Sequence, residues 1–207
     1  MTALLEVTGL TVRFGALTAV EDVSFRVPDG GTVGLVGESG SGKSVTALAV
    51  MGLLDGAQVT GEVRFQKESL LELPPRRWQA LRGRALAMVF QDPGASLNPA
   101  QRVLTQLMEP LQLHLRIPKA DAQARAVALL EAVGVGDAAR RAKAYPHELS
   151  GGMRQRAMIA MALACGPALL IADEPTTALD VTVQAQVMAL LRAVQAERRM
   201  GLLLISH

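Results

Sequence analysis

The stretch Gly37-Glu38-Ser39-Gly40-Ser41-Gly42-Lys43-Ser44 has the form G-x-x-x-x-G-K-[ST], the pattern of a phosphate-binding P-loop. The run Thr32-Val33-Gly34-Leu35-Val36 leads into it and predicts a buried strand. Val45-Thr46-Ala47-Leu48-Ala49-Val50-Met51 follows and predicts a helix. Strand, loop and helix in that order are the context the motif requires. Glycines let successive backbone N–H groups curl around an anion, and the helix start adds unpaired donors and a positive dipole end. Lys43 can reach the β- and γ-phosphates of a nucleotide, and Ser44 can offer its hydroxyl to Mg²⁺. A plain Gly/Ser turn before a helix would leave Gly-Lys-Ser at this place without a purpose.

The rest of the composition narrows the class. The chain has 207 residues, 50% of them hydrophobic, enough for one large domain or a core with a subdomain. Basic and acidic residues number 21 and 19, so charge gives no reason to invoke nucleic acid as the main partner. Aromatics are 3%, too few for a base-stacking platform. The one cysteine, Cys165, cannot form an intrachain disulfide and points to a reducing compartment. The N-terminus lacks the basic-then-apolar layout of a secretory signal. The longest apolar run, residues 157–172, is broken by Gly166-Pro167 and falls short of the roughly 20 residues of a membrane span. It reads as a buried helix followed by a buried strand, in a soluble protein that can sit on a membrane partner.

Taken in order, Leu5, Val7, Leu10, Val12 and Phe14 are spaced for short half-buried strands around Gly9. Val23, Phe25 and Val27 alternate in a second segment, and Pro28-Asp29-Gly30-Gly31 is a turn. A strand phenylalanine such as Phe14 ordinarily belongs to a core, though it can also face an adenine ring. Residues 61–65 predict another short strand with Val63 and Phe65 on one face. Residues 66–84 are polar, with Arg76, Arg77, Arg82 and Arg84 near Trp78. They read as a solvated helix face rather than a nucleic-acid patch. Residues 86–90 form a continuous apolar strand followed at once by Gln91. A residue at the carboxyl end of such a strand lies where ligands bind in an open α/β sheet. Gln91 can coordinate Mg²⁺ or position water there, or simply face solvent. Residues 92–99 read as a loop, and residues 101–165 as mostly helical, with Ala126, Leu129, Leu130 and Val133 at helical spacing. This is the pattern of a helical subdomain inserted into an α/β core. His114, among leucines, reads as a surface or packing residue.

Two further stretches face the same chemistry. Leu149-Ser150-Gly151-Gly152-Met153-Arg154-Gln155-Arg156 precedes a helix over 157–164. Ser150 is a good N-cap, and the glycines leave N–H groups open to an anion. A capped helix with a flexible entry is the plainer alternative. Ala168-Leu169-Leu170-Ile171-Ala172-Asp173-Glu174-Pro175 is an apolar strand ending in two carboxylates. Asp173 can hold Mg²⁺ together with Ser44, and Glu174 can act as general base on a water. A loop follows over 176–180, then a helix over 183–200 with Val187, Leu190, Leu191 and Val194 on one face. Residues 201–207 are a strand ending in His207, of the same type as those carrying Gln91 and Asp173.

The ordered set resembles the nucleotide-binding domain of ATP-binding cassette (ABC) transporters, over essentially the whole chain. The resemblance implies an α/β fold, a P-loop NTPase core with a mainly parallel sheet. It adds an N-terminal antiparallel β subdomain and an inserted α-helical subdomain. Residues 1–91 and 166–207 would form the β and core part, and residues 92–165 the helical part bearing the signature. It implies that Gly37, Glu38, Ser39, Gly40, Ser41, Gly42, Lys43 and Ser44 bind ATP, with Phe14 against the adenine. Ser44, Gln91 and Asp173 would serve Mg²⁺; Glu174, Gln91 and His207 would serve hydrolysis. Ser150, Gly151, Gly152 and Asp180 would belong to a site shared with a second such domain, paired head to tail as a homo- or heterodimer. Transmembrane permease subunits would be the driven partner, touched around Gln91 and the helical subdomain, with a solute-binding protein as an indirect partner and no nucleic acid.

The stretches Val89-Phe90-Gln91-Asp92-Pro93, Ser96-Leu97-Asn98-Pro99 and 145–156 look like the peptide/nickel importer group of bacteria. That implies a peripheral subunit on the cytoplasmic face of the inner membrane. Family members continue past the switch histidine, so the chain is expected to lack a C-terminal part. Two other readings stand beside this one. A soluble ABC-type ATPase acting on DNA or ribosomes would need coiled-coil, zinc-binding or basic insertions, which the sequence does not display. The other is an inactive truncated fragment.

Overall fold

The computed structural model describes residues 3–176 and 181–206. Two four-stranded sheets organise it. The first is antiparallel, with β1 (Ala3–Phe14), β2 (Leu17–Pro28), β4 (Gln58–Phe65) and β5 (Glu68–Ser69) in the order β2-β1-β4-β5. The second is parallel, with β3 (Thr32–Val36), β6 (Leu86–Val89), β7 (Leu169–Asp173) and β8 (Gly201–Ser206) in the order β3-β8-β7-β6. The α/β class expected from the sequence is therefore the observed one.

Where the sequence predicts short segments around Gly9, the chain forms one strand with a change of register. Gly9 has φ 60, and the pairing of β1 slips between Val7 and Leu10 on one neighbour and between Thr8 and Thr11 on the other. The buried positions Leu5 and Val7 are odd, whereas Leu10 and Val12 are even. An inserted residue in a strand re-aims side chains to the other phase, so all four reach one face. Gly61 lies opposite with φ 100, and a Cβ there would stand 2.5 Å from the Gly9 carbonyl oxygen.

Three of the parallel strands, β6, β7 and β8, alternate between two cores. β3, at the edge of the sheet, buries only Val33 and Leu35 in part and leaves Val36 69% exposed, so the strand expected to be buried over 32–36 is half-buried. Leu86, Met88, Leu169, Ile171, Leu203 and Ile205 pack with the antiparallel sheet and with α1 (Lys43–Val50). Ala87, Val89, Leu170, Ala172 and Leu202 pack with α4 (Val103–Leu115), α5 (Lys119–Ala132), α7 (Gly151–Leu163) and α8 (Val181–Arg198). A sheet covered on both faces needs apolar residues at every position, which is why these strands read as unbroken runs.

Smaller elements join these, among them a 3₁₀ turn at Pro146–Glu148 before α7. The polar stretch contains α2 (Pro75–Leu81); residues 92–99, expected as a loop, contain one helical turn, α3 (Pro93–Ser96); and α6 (Ala138–Arg141) follows α5. Buried Gln106 closes the chain after α3. Its side-chain oxygen accepts from the Asn98 N–H at 2.9 Å, and its amide donates to the Asn98 and Gln101 carbonyls at 3.0 Å each. No helix among the described residues is long and apolar enough to cross a membrane.

Candidate functional site

All four parallel strands end at one edge, since Val36 pairs with Ser206 and Asp173 with Ile205. The loop after β3 turns there into α1. Gly40 and Gly42 adopt φ 80 and 87, and Gly42 caps α1 without a side-chain hydrogen bond. A Cβ on Gly42 would lie 2.5 Å from the Ala19 carbonyl oxygen on β2, so only glycine fits both the dihedral and the approach. Lys43, 7% exposed, curls back over the loop and its ammonium donates to the Gly37 and Glu38 carbonyls at 2.7 Å each. Thr46 ties the turn down, its N–H and hydroxyl both donating to the Gly42 carbonyl at 2.8 and 2.9 Å.

The two carboxylates enter from the neighbouring strand. Asp173 closes β7 at 4% exposure, and its Oδ1 accepts from the Ser44 hydroxyl at 3.1 Å. Glu174, 7% exposed, has φ 46, a left-handed conformation that costs a non-glycine residue on the order of 1–3 kcal/mol. Its N–H donates to the Ile205 carbonyl at 3.1 Å, and its Oε2 accepts from the Gln91 side-chain amide at 2.7 Å. Gln91, two residues beyond β6, is exposed. A cavity of roughly 360 Å³ lies between these groups, walled by Gly40, Gly42, Lys43, Ser44, Gln91 and Glu174 and by Leu17, Thr18 and Ala19 of β2. Backbone donors, a lysine ammonium and a hydroxyl–carboxylate pair converge on it, the groups that hold a polyphosphate and a hard cation. Ser44 and Asp173 supply oxygen atoms only, which fits Mg²⁺.

The structure thus brings Gly37 to Ser44, Gln91, Asp173 and Glu174 together. Phe14 ends β1, half-buried against the core between the sheets. It does not line the cavity, but it pairs with Leu17, which does. Ser150, Gly151 and Gly152 stand apart from it at the start of α7, which begins at Gly151 rather than after the glycines. The Ser150 hydroxyl accepts from the Met153 N–H at 3.3 Å, the expected cap. Asp180 and His207 lie outside the described residues.

Sequence reasoning missed the β2 wall and two glutamines. Gln155 donates to the Pro175 carbonyl at 2.7 Å and Gln184 to the Thr176 carbonyl at 3.3 Å. A signal for Gln155 existed, because it falls on the same helical face as Met158 and Ile159. Residues 17–19 carried none, since their approach is purely tertiary.

The family described as ABC transporter matches residues 20–177. The oligopeptide transport ATP-binding protein OppD of Salmonella typhimurium is 53% identical over 209 residues, covering 99% of this chain and 62% of that protein. The dipeptide transport ATP-binding protein DppD of Escherichia coli is 49% identical over 211 residues, covering 99% of this chain and 64% of its own length. The chain thus spans 62% and 64% of the lengths of these two relatives. Among solved structures, the ATP-binding cassette MJ0796 as a post-hydrolysis dimer bound to ADP and Pi matches with a TM-score of 0.86 at 30% identity. That match covers 98% of this chain and 88% of the other. The P-loop, the carboxylate pair and these likenesses agree, and the chain belongs to the ABC transporter family.

Proposed function

We propose that this chain is the ATP-hydrolysing part of an importer subunit that moves peptides across the cytoplasmic membrane from its inner face. The observation that carries the reading is the pairing of Ser44 with Asp173 and of Gln91 with Glu174 at the mouth of a P-loop. The nucleotide phosphates lie in the loop, where Lys43 exchanges its two backbone carbonyls for phosphate oxygens. Ser44 and Asp173, with Gln91 beside them, would hold Mg²⁺, which would supply neutralisation of the phosphate charge there. Glu174 accepts the proton of the attacking water, a step worth about 10²–10⁴-fold in rate. His207 also serves hydrolysis, and Phe14 faces the adenine.

The remaining motifs belong to a partner. Ser150, Gly151 and Gly152 stand at a helix start away from the chain's own cavity, and anions favour such starts. They and Asp180 serve the nucleotide held by a second ATP-binding domain, head to tail with two-fold character; the related cassette MJ0796 is dimeric. An apolar groove of roughly 370 Å³ between the turn after α1, β6, α4 and α7 receives the permease, with half-exposed Phe90 and well-exposed Leu113 on its rim. His114 packs there, its pKa pushed down by burial and by Arg84. The importing relatives carry oligopeptides and dipeptides by name, which supports peptides over nickel as the cargo, delivered by a solute-binding protein.

The test is Glu174→Gln in the intact natural protein. ATP binding should persist while turnover falls by at least about 10²-fold; near-normal turnover would overturn the reading.

A further inference from the structure

Of the buried polar side chains among the described residues, Gln155 is the least exposed, at 1%. It sits on the inner face of α7, one turn beyond Gly151. Its amide reaches out of its own helix and donates to the Pro175 carbonyl at 2.7 Å. That carbonyl belongs to the residue directly after Glu174. Gln184 of α8 donates to the next carbonyl, Thr176, at 3.3 Å.

Glu174 needs such anchoring. Its φ of 46 is a conformation that persists only where the surroundings over-determine it. On the entering side, the Glu174 N–H is bonded to the Ile205 carbonyl of β8 at 3.1 Å. On the leaving side, the Gln155 amide holds the chain. The left-handed turn that aims the carboxylate at Gln91 is thus clamped between a strand of the parallel sheet and helix α7. A buried amide donor to a carbonyl is directional, so moving α7 moves the clamp.

We propose that Gln155 is a positioning residue for Glu174, tying the carboxylate to the helix whose first turn carries Ser150, Gly151 and Gly152. The inference rests on Glu174 being the general base. It makes α7 a rigid connection between the helix start offered to a neighbouring phosphate and the chain's own hydrolytic carboxylate.

The experiment uses the intact natural protein, isolated with the subunits that accompany it. Gln155→Met keeps the length and removes the donor. The expected result is a kcat lower by about 10-fold or more, the scale of a small misplacement of a catalytic group, with KM for ATP within about 2-fold. Gln155→Glu supplies a donor only when protonated, and burial raises a carboxyl pKa. Its kcat relative to the unsubstituted protein should therefore rise as pH falls from about 8 to about 6, while the Gln155→Met ratio stays flat. A wild-type kcat in Gln155→Met, or a flat ratio in Gln155→Glu, overturns the proposal. So does a loss of kcat and nucleotide affinity together in step with a fall in Tm, which is what a purely structural glutamine would give. Should Gln155→Met not fold, the pH dependence of Gln155→Glu decides alone. Glu174→Gln, measured alongside, separates the two claims. If it abolishes turnover and Gln155→Met does not, only the positioning role fails; if it retains turnover, the reading beneath fails.

Discussion

Lys43 illustrates how a single residue is stored for use. Its ammonium is nearly buried, yet both of its bonds go to carbonyls of the loop it guards. A phosphate offers full charge in place of those carbonyl dipoles, and charge-assisted bonds are about twice as strong as neutral ones. Lys43→Ala should therefore weaken ATP binding by about 10-fold or more, read by titration with a fluorescent nucleotide. An unchanged affinity would count against the loop as the phosphate site. The arginines near Trp78 show the opposite economy. Arg82 stacks its guanidinium 4.5 Å from the Trp78 ring and donates to the Met51 carbonyl at 2.8 Å and to that of Gly52. It thereby closes the carboxyl end of α1, and burial lowers its pKa. Arg77 pairs with Glu68 at 2.8 Å and holds that carboxyl below its usual range. Arg77 makes a surface contact, whereas Arg82 is a packing residue rather than part of the solvated face expected from the sequence.

At the scale of the element, the antiparallel sheet depends on a glycine pair. Gly61 has φ 100, and a Cβ would meet Gly9 and Thr8 backbone atoms at 2.5 to 2.8 Å. Neither strand can give way without breaking the register that buries Leu5, Val7, Leu10 and Val12. Gly61→Ala should destabilise the fold by about 2–4 kcal/mol, combining a strained dihedral with overpacking. Gly15 has φ 58, and a Cβ there would meet no atom within 4 Å, so Gly15→Ala should cost only about 1 kcal/mol. Urea unfolding of both variants checks the contrast, and equal costs would show that the close approach has no energetic weight.

At the scale of the whole molecule, the parallel sheet is a partition. One face packs on the antiparallel sheet and α1, the other on the helical layer. The candidate phosphate site sits at the sheet's carboxyl edge, and the start of α7 lies outside its cavity. On the proposed reading, the cradle and the separate helix start at Ser150 are completed by a second copy or a paralogue. Glu174→Gln, alone or mixed with the paralogous subunit, should therefore with Mg-ATP elute at about twice the apparent mass seen without nucleotide in size-exclusion chromatography, since trapped ATP holds the pair closed. A mass that is the same with and without nucleotide would remove the shared-site argument.

Much of this protein was legible in the chain because the causes are local. The glycine spacing of 37–44, the unbroken apolar runs of β6, β7 and β8, and the Ser150 cap each act within a few residues, and each took the form expected. The parallel order β3-β8-β7-β6 and the single bulged β1 needed partners to exist first. So did the site's pairs. Ser44 meets Asp173 across 129 positions and Gln91 meets Glu174 across 83, separations at which no periodicity carries information. Gln155 is the sharpest case. Its sequence neighbours announce a helix, but only the packing of α7 against the loop after β7 turns a buried amide into a clamp on Pro175. The order of residues settles which side chains could do chemistry. Folding selects which of them touch, because a hydrogen bond depends on distance and angle, not on order along the chain.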